Sequence, residues 1–130
     1  MPYYKKVNQN RTTGGLYSAW TSHWYNSDHK LNVLYKLNQW TYPKIKGSKL
    51  FVFDNLSDAI KFPKGNAVFE CEVINVSKRG PFINRIFPYQ TLLSMWTNYR
   101  NKKKYTDIAF GNPPHGTVWV DAVKLTEQIV

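Results

Sequence analysis

Residues 67–76 read Ala-Val-Phe-Glu-Cys-Glu-Val-Ile-Asn-Val, with Ala67, Phe69, Cys71 and Val73 on one parity and Val68, Glu70, Glu72 and Ile74 on the other. A strand turns successive side chains to opposite faces, so this alternation predicts a strand with a core-facing row through Phe69 and Cys71. Upstream, Lys64-Gly65-Asn66 forms a turn, and Pro63 ends a short helix predicted over 56–62. Leu56, Ala59, Ile60 and Phe62 recur there at helical spacing, Asp54 or Asn55 supplies the cap, and Asp58 suits the positive end of the helix dipole. Before it, 49–53 (Lys-Leu-Phe-Val-Phe) is a short apolar run rich in aromatics, hence another strand.

Further toward the N-terminus, Leu31, Val33, Tyr35 and Leu37 alternate with Asn32, Leu34, Lys36 and Asn38, which predicts a strand over 32–41, and Pro43 and Gly47 punctuate a basic loop. Tyr17, Trp20, Trp24 and Tyr25 fall within 16–25 at spacings compatible with a helix bearing an aromatic face. Residues 1–15 are polar, basic and rich in Asn, Thr and Gly toward their end, so they read as a flexible N-terminal arm or a loosely docked strand.

Downstream, 77–88 holds Gly80, Pro81 and Pro88 among basic and aromatic residues, the composition of a long exposed connection. Over 89–100, Tyr89, Leu92, Leu93, Trp96 and Tyr99 mark one face of a helix. Residues 111–116 (Gly-Asn-Pro-Pro-His-Gly) form a turn, and 117–125 is a closing strand with Val118, Val120 and Ala122 in alternation. Short strands and helices without a repeated crossover predict an α+β fold. The expectation is one small domain over 16–130, a largely antiparallel twisted sheet of about four to six strands with two or three short helices.

Charge bears on function. The 130 residues carry 18 Lys and Arg against 8 Asp and Glu, a formal net charge of +10. Seven cations (Lys78, Arg79, Arg85, Arg100, Lys102, Lys103, Lys104) fall between Val73 and Thr106 with no acid among them. Such a run is relieved by a polyanion or by solvent. Nucleic-acid binding requires cations for phosphate and planar side chains for unpaired bases. The predicted interface is therefore Lys78, Arg79, Phe82 and Arg85 as a groove edge, with Arg100, Lys102, Lys103 and Lys104 as a phosphate clamp. Trp40, Trp96 and Trp119 sit at pattern positions and are assigned to packing. No sequence-reading motif is present, so binding to nucleic acid or another polyanion is expected to be non-specific. An acidic host or viral protein is the alternative partner, since basic side chains also match such a surface.

The single cysteine, Cys71, excludes an intramolecular disulfide, which suits a reducing compartment. It alternates into the apolar face and reads as a small hydrophobe. His23, His29 and His115 lack metal-ligand spacing, so neither a metal nor a cofactor is expected. No long apolar run or signal-peptide core is visible, and the expectation is a protein of the cytoplasm, without membrane association.

Glu70 and Glu72, at i and i+2 on the predicted strand, project from one face, where their charges repel. This Glu-x-Glu pair resembles the element of arginine-directed ADP-ribosyltransferases. The order of strand 49–53, helix 56–62 and strand 67–76 is similar to that family's nicotinamide-binding half, with Arg11 and Thr21-Ser22 as candidates for its other motifs. The spacing of Arg11 and Ser22 and the incomplete Ser-Thr-Ser depart from the family pattern. The resemblance implies transfer chemistry at Glu70 and Glu72, the enzymatic alternative to a binding protein. Residues 49–76 and 116–125 also resemble small bacteriophage and viral accessory proteins, through the Lys-Leu-Phe-Val-Phe, Cys-Glu-Val and Gly-Thr-Val strands. That resemblance implies a host-interaction or virion setting, in the host cytoplasm or the particle.

Overall fold

The strand at the centre of the sequence is also a centre of the fold. A computed structural model describes residues 2–10, 12–19, 33–45, 47–81, 89–100 and 113–130. Their elements run β1 (Tyr3–Gln9), β2 (Leu16–Ser18), β3 (Leu34–Tyr35), β4 (Trp40–Thr41), β5 (Leu50–Phe53), α1 (Leu56–Lys61), β6 (Ala67–Ile74), α2 (Tyr89–Arg100), β7 (Thr117–Val120) and β8 (Ala122–Gln128). The sheet is antiparallel at every pairing and has eight strands, more than expected. The difference arises because the segment 32–41 and the closing strand each divide into two, and the N-terminus supplies two more.

β6 pairs with β1 from Tyr3↔Cys71 to Val7↔Ala67, and on its other edge with β8. Asp121 separates β7 from β8, and the Ser77↔Trp119 bridge carries the pairing of the β6 segment onto β7. β5 pairs with β7 and meets β1 at Tyr4↔Phe53, so the chain of pairings returns to its start. Below β5, β2 extends β1, β3 extends β2, and β4 borders β8. The result is a strongly curved sheet closed around one core. Val7, Val52, Val118, Val120, Val123 and Leu125 fill it, each at most 1% exposed.

Two helices cover parts of the outer face. Asn55 caps α1 by accepting the Asp58 N–H at 2.9 Å. Ala59 packs with Phe53 and Val68, which buries Val68 although it lies opposite the core row. Lys6 of β1 donates from Nζ to the Ile60 and Phe62 carbonyls at 3.0 and 3.1 Å, satisfying the helix end and tying it to the sheet. On α2, Met95 and Trp96 are buried, and Trp96 packs 6.3 Å from the Phe51 ring.

Three expectations change. Residues 1–15, expected as a flexible arm or a loosely docked strand, contain β1, which is paired with strands on both edges and has its Val7 fully buried. The strand predicted over 32–41 breaks at a turn where Asn38 adopts φ 62° and Gln39 N–H reaches the Lys36 carbonyl. The helix predicted over 16–25 begins instead as β2, and its residues 20–25 lie outside the described residues, as does Arg11. The strand at 67–74, the helix at 56–61, the helix at 89–100 and the buried Cys71 agree with the sequence.

Candidate functional site

The predicted basic loop leaves β6 over a pinned root. Ser77 and Trp119 exchange two backbone hydrogen bonds of 2.8 Å, and the Ser77 hydroxyl donates to the Arg79 carbonyl at 2.8 Å. Gly80 lies against the Trp119 indole so closely that a Cβ there would fall 2.7 Å from ring atoms. The indole Nε1 in turn donates to the Pro81 carbonyl at 2.9 Å. A buried tryptophan thus fixes residues 77–81, and the turn carries Lys78 and Arg79 exposed on its outer side.

Trp119 belongs to an aromatic cluster that also receives α2. Phe51 packs 5.8 Å from Trp119 and 6.3 Å from Trp96, whose ring meets Tyr99 edge-on at 5.7 Å. The helix that ends at Arg100 and the loop root bearing Lys78 and Arg79 therefore rest on one cluster. Arg100 closes α2, while Phe82, Arg85, Lys102, Lys103 and Lys104 lie outside the described residues.

The ion pairs are unevenly distributed. Asp121 accepts Lys49 and, at 2.8 Å, the Asn75 amide, and these contacts hold its carboxyl below the usual value. Asp58 is bonded to the Asn55 amide and to His115 Nδ1 at 2.7 Å, with the same effect and Asn55 as the larger cause. Glu72 pairs with Lys124 at 3.0 Å. Lys36, Lys64, Lys78 and Arg79 have no ion pair among the described residues. Of the six acids among the described residues, Asp58, Glu72 and Asp121 are thus in ion pairs, Asp54 accepts from the Asn55 amide, and Glu70 and Glu127 stand opposite each other.

The carboxylate pair has a structural setting. Glu70 stands opposite Glu127 on β8 and Tyr4 on β1, and Glu72 stands opposite Lys124. Between Leu125 and Glu127 the register shifts by one residue, and Thr126 Oγ1 donates to the Glu70 carbonyl at 3.1 Å. An open depression of about 500 Å³ beside them is lined by Pro2, Tyr3, Glu70, Cys71, Glu72, Val73 and Thr126. Its ionised lining is carboxylate only, a poor match for the pyrophosphate of a dinucleotide.

One feature escaped the sequence pattern. Trp40, assigned to packing, lies on edge strand β4 at 38% exposure, whereas Trp96 and Trp119 are buried. Tyr42, two residues on, is 60% exposed. Lys124 Nζ sits 5.2 Å from the Trp40 ring centre, completing an outer-face rung Glu72, Lys124, Trp40 across three strands. The signal that could have marked these aromatics is the Leu37-Asn38 turn, which resets the alternation before Trp40.

Among the described residues no group of three or more His, Cys, Asp and Glu is arranged to hold a metal, and no helix is long and apolar enough to cross a membrane. No protein-family model, curated protein or solved structure matches the chain.

Proposed function

We propose that this chain is a non-enzymatic basic protein that binds nucleic acid through exposed cations. The observation that carries the reading is the charge distribution: the acids at Asp58, Asp121 and Glu72 are paired internally, while Lys36, Lys64, Lys78 and Arg79 have no ion pair among the described residues. A formal surplus of +10 attracts phosphates and gains from the release of their counterions. The rigid turn under Lys78 and Arg79 supports the same reading, because cations on a fixed backbone lose less freedom on binding.

The carboxylates Glu70 and Glu72 fit a structural role better than transfer chemistry, since Glu72 is engaged by Lys124 and the adjoining depression presents no cation to a phosphate. Fluorescence anisotropy with labelled single- and double-stranded oligonucleotides at low salt tests the proposal. Association that weakens steeply with added salt is the expected result. Absence of association with every nucleic acid tried at low salt removes the reading, and capture of an acidic protein after nuclease treatment would replace it.

A further inference from the structure

We infer that the partner is single-stranded, and that Trp40 and Tyr42 form the platform on which its bases stack. The inference rests on the nucleic-acid reading above and adds the strand state and the surface. Trp40 and Tyr42 are two residues apart at the sheet border, 38% and 60% exposed, and Pro43 favours extended backbone at Tyr42. Extended backbone rises about 3.3 Å per residue, so residues two apart along it are spaced roughly 7 Å, room for a base at each. β4 ends the main strand path of the sheet, and its only pairing among the described residues is with β8.

A ring exposed on an edge strand serves many partners, and the surrounding charge selects among them. Lys36 lies in the turn before Trp40, Lys44 follows Tyr42, and both are exposed. Lys124 holds one face of the Trp40 indole, so a base takes the other. Its pairing with Glu72 fixes the ammonium in place and thereby steadies the ring. Rings flanked by lysines suit unpaired bases joined by phosphates, because stacking needs π-faces that a duplex keeps buried in its own stack. Leu37, exposed in the turn three residues before Trp40, adds apolar surface on the approach to the platform.

The test compares wild type with Trp40→Ala, Tyr42→Ala and Trp40→Phe, using a labelled oligothymidylate of about 20 nucleotides, longer than the sites that domains of this size cover, and a duplex of equal length. Circular dichroism and thermal melting establish that each variant is folded. The expected result is tighter binding of the single strand than of the duplex at equal salt, with a loss of roughly fivefold or more for each alanine variant. Trp40→Phe keeps a ring and should retain most of the affinity. The salt dependence should stay as in wild type, since no cation is removed. Wild-type binding with both alanine variants within twofold overturns the platform and leaves the nucleic-acid reading standing. Equal or tighter duplex binding overturns the single-strand assignment. Failure of wild type to bind any nucleic acid overturns both.

Discussion

Lys5 Nζ stands 5.3 Å from the centre of the Tyr35 ring, inside the closed sheet. Lys5 is 4% exposed, and its ammonium donates to the Phe51 carbonyl at 2.6 Å. The Tyr35 hydroxyl is buried without a hydrogen-bond partner among the described residues. Burial pushes the Lys5 ammonium down to about 8, against 10.5 in an unfolded chain, and pushes the Cys71 thiol up to about 12.

These shifts give an alkaline signature. Below pH 8 the folded protein carries a buried charge that the unfolded chain keeps in water, a cost of roughly 3 kcal/mol in order of magnitude. As pH rises from 8 toward 10.5 the folded state releases this proton first, so the cost is relieved and stability increases. From pH 9 the unfolded Cys71 thiol ionises while the folded one does not, which lowers stability and offsets the gain. Burial also raises the Tyr35 hydroxyl above its ordinary value of 10.0, so denaturant unfolding should show stability rising between pH 8 and 9, levelling toward pH 10 and falling above it. Lys5→Met should be more stable than wild type at pH 7 by about 1–2 kcal/mol, the lost bond to Phe51 offsetting part of the relief, and should lack the rise. A Lys5→Met variant with the wild-type pH profile would contradict this account.

The same lysine explains what the sequence hid. On β1 the inward positions are Tyr3, Lys5 and Val7, so a cation occupies a place where alternation requires an apolar residue. The segment consequently reads as a polar arm, although its backbone is paired on both edges. At β6 every inward residue is apolar and the strand is legible, as is α1, where Asn55, the apolar spacing and Pro63 agree. Trp40 was misplaced for a different reason: a turn through Asn38, with positive φ, breaks one apparent strand into two that border different neighbours. Lys78 and Arg79 were legible as exposed cations, but their anchoring by Trp119 depends on residues about 40 positions apart, a pairing no local pattern encodes.

Gly80 is required by close approach to Trp119. Gly80→Ala should force the loop root off the indole and destabilise the fold by about 1–3 kcal/mol. Trp119→Phe, which keeps much of the packing but removes the bond to Pro81, should cost about 1–3 kcal/mol by leaving a buried carbonyl unpaired. Thermal melts check both. Gly80→Ala with an unchanged melting temperature would show that the contact yields freely.

Asn55 closes the first turn of α1 through its bond to the Asp58 N–H. Asn55→Ala should cost about 1 kcal/mol in denaturant unfolding, and Asn55→Ser should recover most of it. Equal losses in the two variants would place the effect outside the cap.

On the acid side, Asp121 titrates below its ordinary value of 3.8 because Lys49 bonds its ionised form. Its contribution to stability is present above pH 3.8 and is lost as pH falls through the lower folded value. Acid unfolding of Asp121→Asn should accordingly begin from a less stable protein and fall less steeply below pH 4 than wild type. Parallel acid limbs for the two proteins would refute the assignment.

Lys78 and Arg79, exposed and without an ion pair among the described residues, are the cations on which binding depends most directly, and the salt dependence of binding measures them. The logarithm of the single-strand association constant should fall linearly with the logarithm of salt concentration, and Lys78→Gln with Arg79→Gln should reduce the slope by about 0.7 for each phosphate contact removed. Binding that is indifferent to salt, or a double variant with the wild-type slope and affinity, would contradict the claim that these exposed charges are what the protein uses.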